Sequence, residues 1–381
     1  MNKKGTDGLR TWIEIDTKAL RHNLEVFRAI VPRTTMLGAI VKSNAYGHDL
    51  FQFAKAVEKF GVDWIIVDSI VEALALRKDG IQTLLLVLGY TLPTRIKEAI
   101  GHNISLTISS LKNLKAATRI ARKNRRPIKV HIKIDTGLSR QGFLIKDQKT
   151  VVETLKRNER WVKVEGLYTH FSAAQDPASS RSVNGQLEIF RTWIDLFREH
   201  EFDPIVHAAA TAATLLFSET HFNMVRVGIG MYGLWPSIET KKHLRNKIVL
   251  TPVLTWKTIV SEVKLLPKGT SVGYDGAETL FRDSKLAICP IGYWHGYNRR
   301  FSSVGHVLVK GQRAKVIGRV SMDMIVVDVS SIPSIKEGSE VVLLGKQGRA
   351  EVTPYEMAAL SGTSHYEITT CLNPLIKRLY I

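Results

Sequence analysis

The residues able to do chemistry recur at one kind of position in this sequence, directly after a short apolar run. Lys42 follows M-L-G-A-I-V, and Lys133, Asp135 and Arg140 end or follow I-K-V-H-I-K-I. His170 follows V-E-G-L-Y-T, Ala210 and Thr211 follow I-V-H-A-A, and Arg226 and Gly228 close M-V-R-V. Two lysines, two arginines and a histidine make a cation-rich set. Partial desolvation of a strand-end lysine favours its neutral form, like charges nearby push the same way, and a neutral amine attacks carbonyls. Taken alone, Lys42 reads as well as a lysine reaching for water, and His170 as a satisfied interior histidine. No group of Asp, Glu and His has metal-ligand spacing, so metal-assisted hydrolysis is disfavoured and no metal is expected.

Two further segments add to the set. R-V-G-I-G-M-Y-G, from Arg226 to Gly233, has glycines that let backbone N–H groups approach an anion. It also reads as a glycine-rich turn. Tyr274 sits in S-V-G-Y-D-G. A phenol there is ordinarily a packing or turn residue, and it becomes a base only where cations stabilise phenolate.

Elements must bring these residues together. Apolar, β-branched runs occur at Met36–Val41, Trp64–Val67, Leu84–Leu88, Ile104–Ile108, Ile128–Ile134, Val164–Tyr168, Ile205–Ala209 and Met224–Val227. Several are almost uninterrupted, as parallel strands buried on both faces require. Amphipathic stretches such as Leu111–Arg122 and Gln186–Glu199 separate them. Eight strands with intervening helices over about 210 residues match a (β/α)8 TIM barrel, whose active sites lie at the C-terminal strand ends. From residue 248 on, the texture changes to long β-type runs, Val253–Leu266, Ala287–Pro290, His306–Val309, Ile325–Val329 and Val341–Leu344. The expected fold class is therefore α/β plus all-β. A barrel spans residues 12–246, and a C-terminal β-strand domain spans 247–381 together with residues 1–11. Trp12–Ile15 alternates like a strand and is a candidate for that second sheet.

Composition narrows the class. The 381 residues are 44% apolar, enough for two cores and against disorder. Two cysteines, Cys289 and Cys371, suggest neither a disulfide framework nor a zinc site. No apolar segment follows the N-terminal M-N-K-K-G-T-D-G-L-R, and Leu84–Leu88 is too short to cross a bilayer. A cytoplasmic protein without membrane contact is expected. The formal net charge of +19, with basic runs at Arg122–Arg126 and Lys241–Lys247, raises nucleic acid as a partner. The runs are scattered and lack interleaved aromatics, so a solvated basic surface is expected and nucleic acid is disfavoured.

These segments resemble the motifs of the alanine racemases, isomerases that use pyridoxal 5'-phosphate. V-K-S-N-A-Y-G-H resembles the family's cofactor-lysine motif, and K-I-D-T-G-L-S-R-Q-G-F, Y-T-H-F-S and R-V-G-I-G-M-Y-G resemble its other barrel motifs. V-G-Y-D, G-R-V-S-M-D and Y-E-I-T are similar to motifs of its β domain. Seven motifs in order cover essentially the whole chain.

The resemblance implies that Lys42 carries the cofactor as a Schiff base and is one catalytic base. Tyr274, from the partner subunit of a homodimer, is the other. It implies that Tyr46, Thr211, Gly228, Ile229 and Tyr366 bind the cofactor phosphate, that Arg226 contacts the pyridine nitrogen, and that His170 links Arg226 toward Tyr274. Arg140 and the backbone of Met322 would hold the substrate carboxylate. Lys133 matches a lysine that is often carbamylated, Asp323 lies beside Met322, and Tyr293 narrows the entrance. The implied activity interconverts L- and D-alanine and supplies D-alanine to cell-wall peptidoglycan.

The sequence departs from the pattern in three places. The family's N-S pair is Ala210–Thr211, its G-Y-A-D-G is Gly292-Tyr293-Trp294-His295-Gly296, and its Cys before Met-Asp is Ser321. The second change keeps a broader amino-acid racemase, acting on serine or basic amino acids, as an alternative. A related amino-acid decarboxylase is a second alternative, disfavoured because those enzymes place a Glu near the pyridine nitrogen where this sequence has Arg226. A barrel-only cofactor carrier is disfavoured by the large second domain.

Overall fold

The computed structural model describes residues 5–381. What the sequence suggested for residues 1–4, no leader and a place in the β domain, lies outside the described residues. The first strand, β1, is Thr11–Ile15, and eight strands follow it. They are β2 Met36–Ile40, β3 Trp64–Val67, β4 Leu84–Val87, β5 Ile104–Ile108, β6 Ile128–Lys133, β7 Val162–Tyr168, β8 Ile205–His207 and β9 Met224–Val227. All eight pair in parallel, in the order β8-β7-β6-β5-β4-β3-β2-β9. The ring closes where Arg226 N–H donates to the Ala209 carbonyl at 2.9 Å and Ala210 bridges Arg226.

The apolar runs become strands because both their faces are covered. All four residues of β3 and all five of β5 are buried. The helix Ser180–Glu199 shows the outer layer. It buries Leu187, Phe190, Trp193, Ile194 and Phe197 along one stripe, and each such side chain contributes roughly 1.5–3 kcal/mol. Capping is explicit at Ile70–Lys78, where Ser69 and Glu72 form a reciprocal capping box.

The remaining strands are β10 Leu254–Ile259, β11 Glu262–Leu266, β12 Ser271–Val272, β13 Glu278–Thr279, β14 Ser284–Cys289, β15 His306–Val309, β16 Gln312–Ile317, β17 Ile325–Asp328, β18 Glu340–Gln347, β19 Ala350–Val352 and β20 Lys377–Tyr380. They form a mostly antiparallel sheet in the order β11-β14-β17-β16-β15-β18-β10-β1-β20, with β19 beside β18 and β12–β13 as a separate hairpin. Its interior includes Trp256, Tyr297 and Phe301 in ring contact. Val253–Leu266, read as one run, is two strands broken at Val260–Ser261.

Two compact units result. One comprises Lys18–Ala45 and Leu50–Thr251, and the other comprises the chain through Thr17, Tyr46–Asp49 and Pro252–Ile381. This division differs from a cut at residue 12. Strand β1 pairs antiparallel with β10 and in parallel with β20, so Trp12–Ile15 lies in the second sheet. Among the described residues, no helix is long and apolar enough to cross a membrane.

Candidate active site

In the barrel unit, the residues singled out from the sequence gather at the C-terminal strand ends. Lys42 comes immediately after β2, and its Nζ lies 3.6 Å from Asp68, the residue after β3. The chain then makes a left-handed turn: Ser43, Asn44, Ala45 and Tyr46 all have φ between 50° and 56°. For residues with a Cβ this costs about 1–2 kcal/mol each, so other contacts must hold it. Ser43 N–H donates to Glu72 Oε1 at 2.7 Å, and Ala45 N–H donates to the Val41 carbonyl at 2.8 Å. Asn44 Oδ1 accepts from the Leu50 N–H at the start of the next helix. Such concentrated strain is typical of functional sites.

Arg226 is buried, and all its contacts are to neutral acceptors. Nη2 donates to the carbonyls of Thr169 and Ala208, each at 2.8 Å, and reaches His170 Nδ1 at 3.4 Å. Nη1 donates to His207 Nδ1 at 2.8 Å. Its guanidinium also lies over the Tyr168 ring, 5.3 Å from the centroid. Burial pushes Arg226 down to about 10, which leaves it a cation at neutral pH. Burial and then the charge of Arg226 hold His170 down to about 3, so this imidazole is neutral. Lys133 is buried at the end of β6, 5.8 Å from the Tyr168 ring centroid. Burial, followed by the charges of Arg140 and Arg226, lowers it to about 8. Arg140 itself is exposed, on the loop that follows Ser139.

Thr211 meets the Gly228–Gly230 turn that follows the last barrel strand. Thr211 Oγ1 accepts from Gly228 N–H at 3.0 Å and from Gly230 N–H at 3.4 Å, so two backbone donors converge on one oxygen. A Cβ on Gly230 would lie 2.4 Å from Phe27 Cζ and 2.8 Å from Thr211 Cγ2. Only glycine fits there. Accepting both N–H groups leaves the Thr211 hydroxyl proton to donate, which suits a phosphate oxygen, with an amine at Lys42 for an aldehyde and an arginine for a ring nitrogen.

The sheet unit holds the other candidates. Tyr46 and Tyr366 have ring centroids 6.2 Å apart, and burial raises both phenols, Tyr46 to about 12. The segment after Tyr46 is fixed by buried Arg378, which donates to the Gly47 carbonyl at 2.9 and 3.1 Å, and by Tyr380, whose hydroxyl donates to the His48 carbonyl. Tyr293 N–H donates to the Ser321 carbonyl and Trp294 N–H to the Met322 carbonyl, both at 3.0 Å. The Gly292–Gly296 turn is thereby stapled to S-M-D. His295 Nδ1 accepts from Gly292 N–H at 3.2 Å and lies 4.0 Å from Asp323. Tyr274, Tyr293, Trp294 and Met322 are exposed on their turns.

Comparison with known proteins identifies the family. The family model for the alanine racemase N-terminal domain matches residues 15–236, and that for the C-terminal domain matches 253–380.

The chain belongs to the alanine racemase family.

An alanine racemase of Methanococcus maripaludis is 37% identical over 373 residues, covering 97% of this chain and 98% of that protein. Alanine racemase 2 of Bacillus subtilis is 34% identical over 374 residues, covering 97% and 94%. The crystal structure of the Bacillus anthracis alanine racemase with bound L-Ala-P superposes with a TM-score of 0.91 at 33% identity, covering 98% of this chain and 95% of that one. The Clostridium difficile enzyme gives 0.92 at 30%, covering 98% and 96%. The chain is accordingly an amino-acid racemase, in a family that uses pyridoxal phosphate.

Sequence reasoning missed Asp68, Glu72 and His207. Asp68 carried a usable signal. It ends W-I-I-V-D, the kind of strand-end position that singled out Lys42. Glu72 is marked locally only as the fourth residue of the capping box S-I-V-E, and no local pattern marks His207, which acts through contacts to other strands.

Proposed function

We propose that this chain interconverts L- and D-alanine with pyridoxal phosphate as cofactor, and that Lys42 and Tyr274 are the two bases. Arg226 carries this reading: a buried cation held by neutral acceptors at the barrel end where Lys42 stands. A guanidinium only donates, so it leaves a pyridine nitrogen unprotonated, unlike the carboxylate of the related decarboxylases. Lys42 would hold the cofactor's aldehyde carbon, and Thr211, Gly228, Ile229, Tyr46 and Tyr366 its phosphate. When bound, the cofactor stabilises negative charge at the amino acid's Cα.

The chain's own groups do the rest. Racemisation needs a proton carrier on each face of Cα. The Lys42 amine serves one face and the Tyr274 phenol the other. Arg140 and the Met322 backbone N–H orient the substrate carboxylate. Asp323 supports Met322, and Tyr293 narrows access. The free-amine fraction that burial gives Lys133 near neutral pH is the form that reacts with carbon dioxide, which supports carbamylation there. The exposure of Tyr274 on its turn supports its delivery to a second copy of the chain, and hence a homodimer. The D-alanine made would serve cell-wall peptidoglycan, in the cytoplasm.

Chiral analysis of L-alanine incubated with wild type and Tyr274→Phe tests the reading. Loss of racemisation by on the order of 10²–10⁴-fold, with cofactor retained, is expected, and unchanged activity refutes the two-base assignment. Mixing Lys42→Ala with Tyr274→Phe chains restores activity only if the two bases come from different copies. The exposed Trp294 favours a second reading, a wider substrate range. Rates with L-serine and L-lysine decide between the two.

A further inference from the structure

Behind Arg226 the barrel interior contains a row of polar groups, His207, His131 and Glu165, that the racemase reading does not use. It runs from Arg226 through His207 and His131 to Glu165, and each proton position along it follows from its ends. Arg226 Nη1 lies 2.8 Å from His207 Nδ1. A guanidinium has no acceptor, so Nδ1 of His207 carries a lone pair and the proton sits on Nε2. That nitrogen lies 2.9 Å from His131 Nδ1. His131 therefore accepts at Nδ1 and carries its own proton on Nε2. Among the described residues His131 Nε2 is buried without a hydrogen-bond partner, and it faces Glu165 Oε2 at 3.7 Å. The opposite polarity would aim an N–H at an N–H at one end and a lone pair at a carboxylate at the other.

The backbone is shaped to bring these groups together. Between β6 and β7, Val130 pairs with Val164 but His131 pairs with Gly166, which leaves Glu165 as the extra residue of a bulge. Bulges re-aim side chains. A Cβ on Gly166 would lie 2.1 Å from His131 Nδ1, so the imidazole occupies the space that a side chain would fill. Tyr168 stacks on His207 with centroids 4.8 Å apart at 6°, and Trp64 meets His131 edge-on at 5.1 Å. Ser105 Oγ donates to Glu165 Oε2, and Lys129 Nζ lies 3.2 Å from Oε1. The carboxylate stays ionised under these contacts, and burial keeps both imidazoles neutral.

We propose that Glu165 is a positioning residue that acts through His131 and His207 to fix the proton direction against Arg226, and so aims its guanidinium at the cofactor's ring nitrogen. The counter-charge of Arg226 sits two imidazoles away. A carboxylate placed directly on Arg226 would quench its field at the ring. Here the arginine is ordered without that loss. The proposal rests on the reading that Arg226 faces the cofactor ring.

Long-range proton–nitrogen correlation spectra of the holoenzyme labelled with ¹⁵N-histidine read the tautomers directly. His131 and His207, assigned by His131→Phe, are expected as Nε2–H tautomers. An Nδ1–H form at either one overturns the proposal. Removing the carboxylate that the His131 Nε2–H faces, in Glu165→Leu, is expected to lower kcat for alanine racemisation about tenfold, with KM unchanged. Glu165→Gln, which keeps an acceptor oxygen, recovers most of it. A loss of thermal stability with kcat intact, or equal losses in the Leu and Gln variants, leaves only a structural role and sinks the idea. If Glu165→Leu does not fold, the wild-type tautomers still decide. They also separate the two readings: a protein that takes up no pyridoxal phosphate but shows both Nε2–H forms keeps the ordered chain and loses the cofactor assignment.

Discussion

In the barrel unit Arg226, His207 and Lys133 are buried, and Arg226 is fixed by hydrogen bonds from several strands. In the sheet unit Tyr274, Tyr293 and Met322 stand on turns, and Tyr274 keeps 67% of its surface exposed. In the barrel half, Arg226 is held by hydrogen bonds from within its own unit. The sheet half locks its backbone instead. Gly273 has φ 81°, a Cβ there would lie 2.8 Å from Arg319 N, and Arg319 pairs with Asp275 at 3.1 Å. The tyrosine side chain itself stays exposed. A substitution in the barrel half should therefore disturb folding and cofactor together. One on the exposed turns of the sheet half, at Tyr274 or Tyr293, should disturb turnover alone.

The largest test of that contrast is Lys42→Ala. The visible absorbance of protein-bound cofactor should vanish, and racemisation should fall by on the order of 10³-fold or more. Retained cofactor absorbance would remove Lys42 from its role. Gly230→Ala should come next. Overpacking against Phe27 and Thr211 costs about 1–3 kcal/mol, visible as a lower urea midpoint and weaker cofactor binding. A midpoint equal to wild type means that the turn is slack.

Lys133 gives a pH test. Its folded value of about 8 lies below the ordinary 10.5, so between those values the unfolded chain binds more protons. Stability should climb with pH across that interval. Below pH 8 both states hold the proton and the penalty is constant. Lys133→Met should therefore stabilise the protein at pH 7 by about 1–2 kcal/mol and flatten the climb, measured by denaturant melts in carbon-dioxide-free buffer. A climb that survives the substitution has another source. The smallest effect is expected from the sheet half. Trp294→Ala should leave the melting temperature unchanged and alter the ratio of kcat/KM for alanine over serine by less than about tenfold. A marked loss of stability would show that this exposed turn is structural after all.

The barrel strands were legible because parallel strands covered on both faces become apolar runs, and the expected Trp64–Val67, Ile104–Ile108 and Met224–Val227 coincide with those observed. The second sheet was less legible. Antiparallel strands with one open face mix polar and apolar residues, so β16 and β20 were not marked and β10 merged with β11. The same limit applies to the helices Pro354–Ser361 and His365–Thr370, which are too short for a clear period.

By itself the sequence determined the family, through seven ordered motifs, and it placed Lys42, Thr211 and Arg226 at strand ends, because strand length and polarity are local properties of the chain. Tertiary structure alone decided the left-handed turn after Lys42, since nothing in S-N-A-Y demands positive φ and Glu72, 29 residues away in sequence, holds it there. It also decided the order of protons from Arg226 to Glu165. Those groups come from β9, β8, β6 and β7, and each histidine's tautomer is set by a partner that only the closed barrel brings within reach.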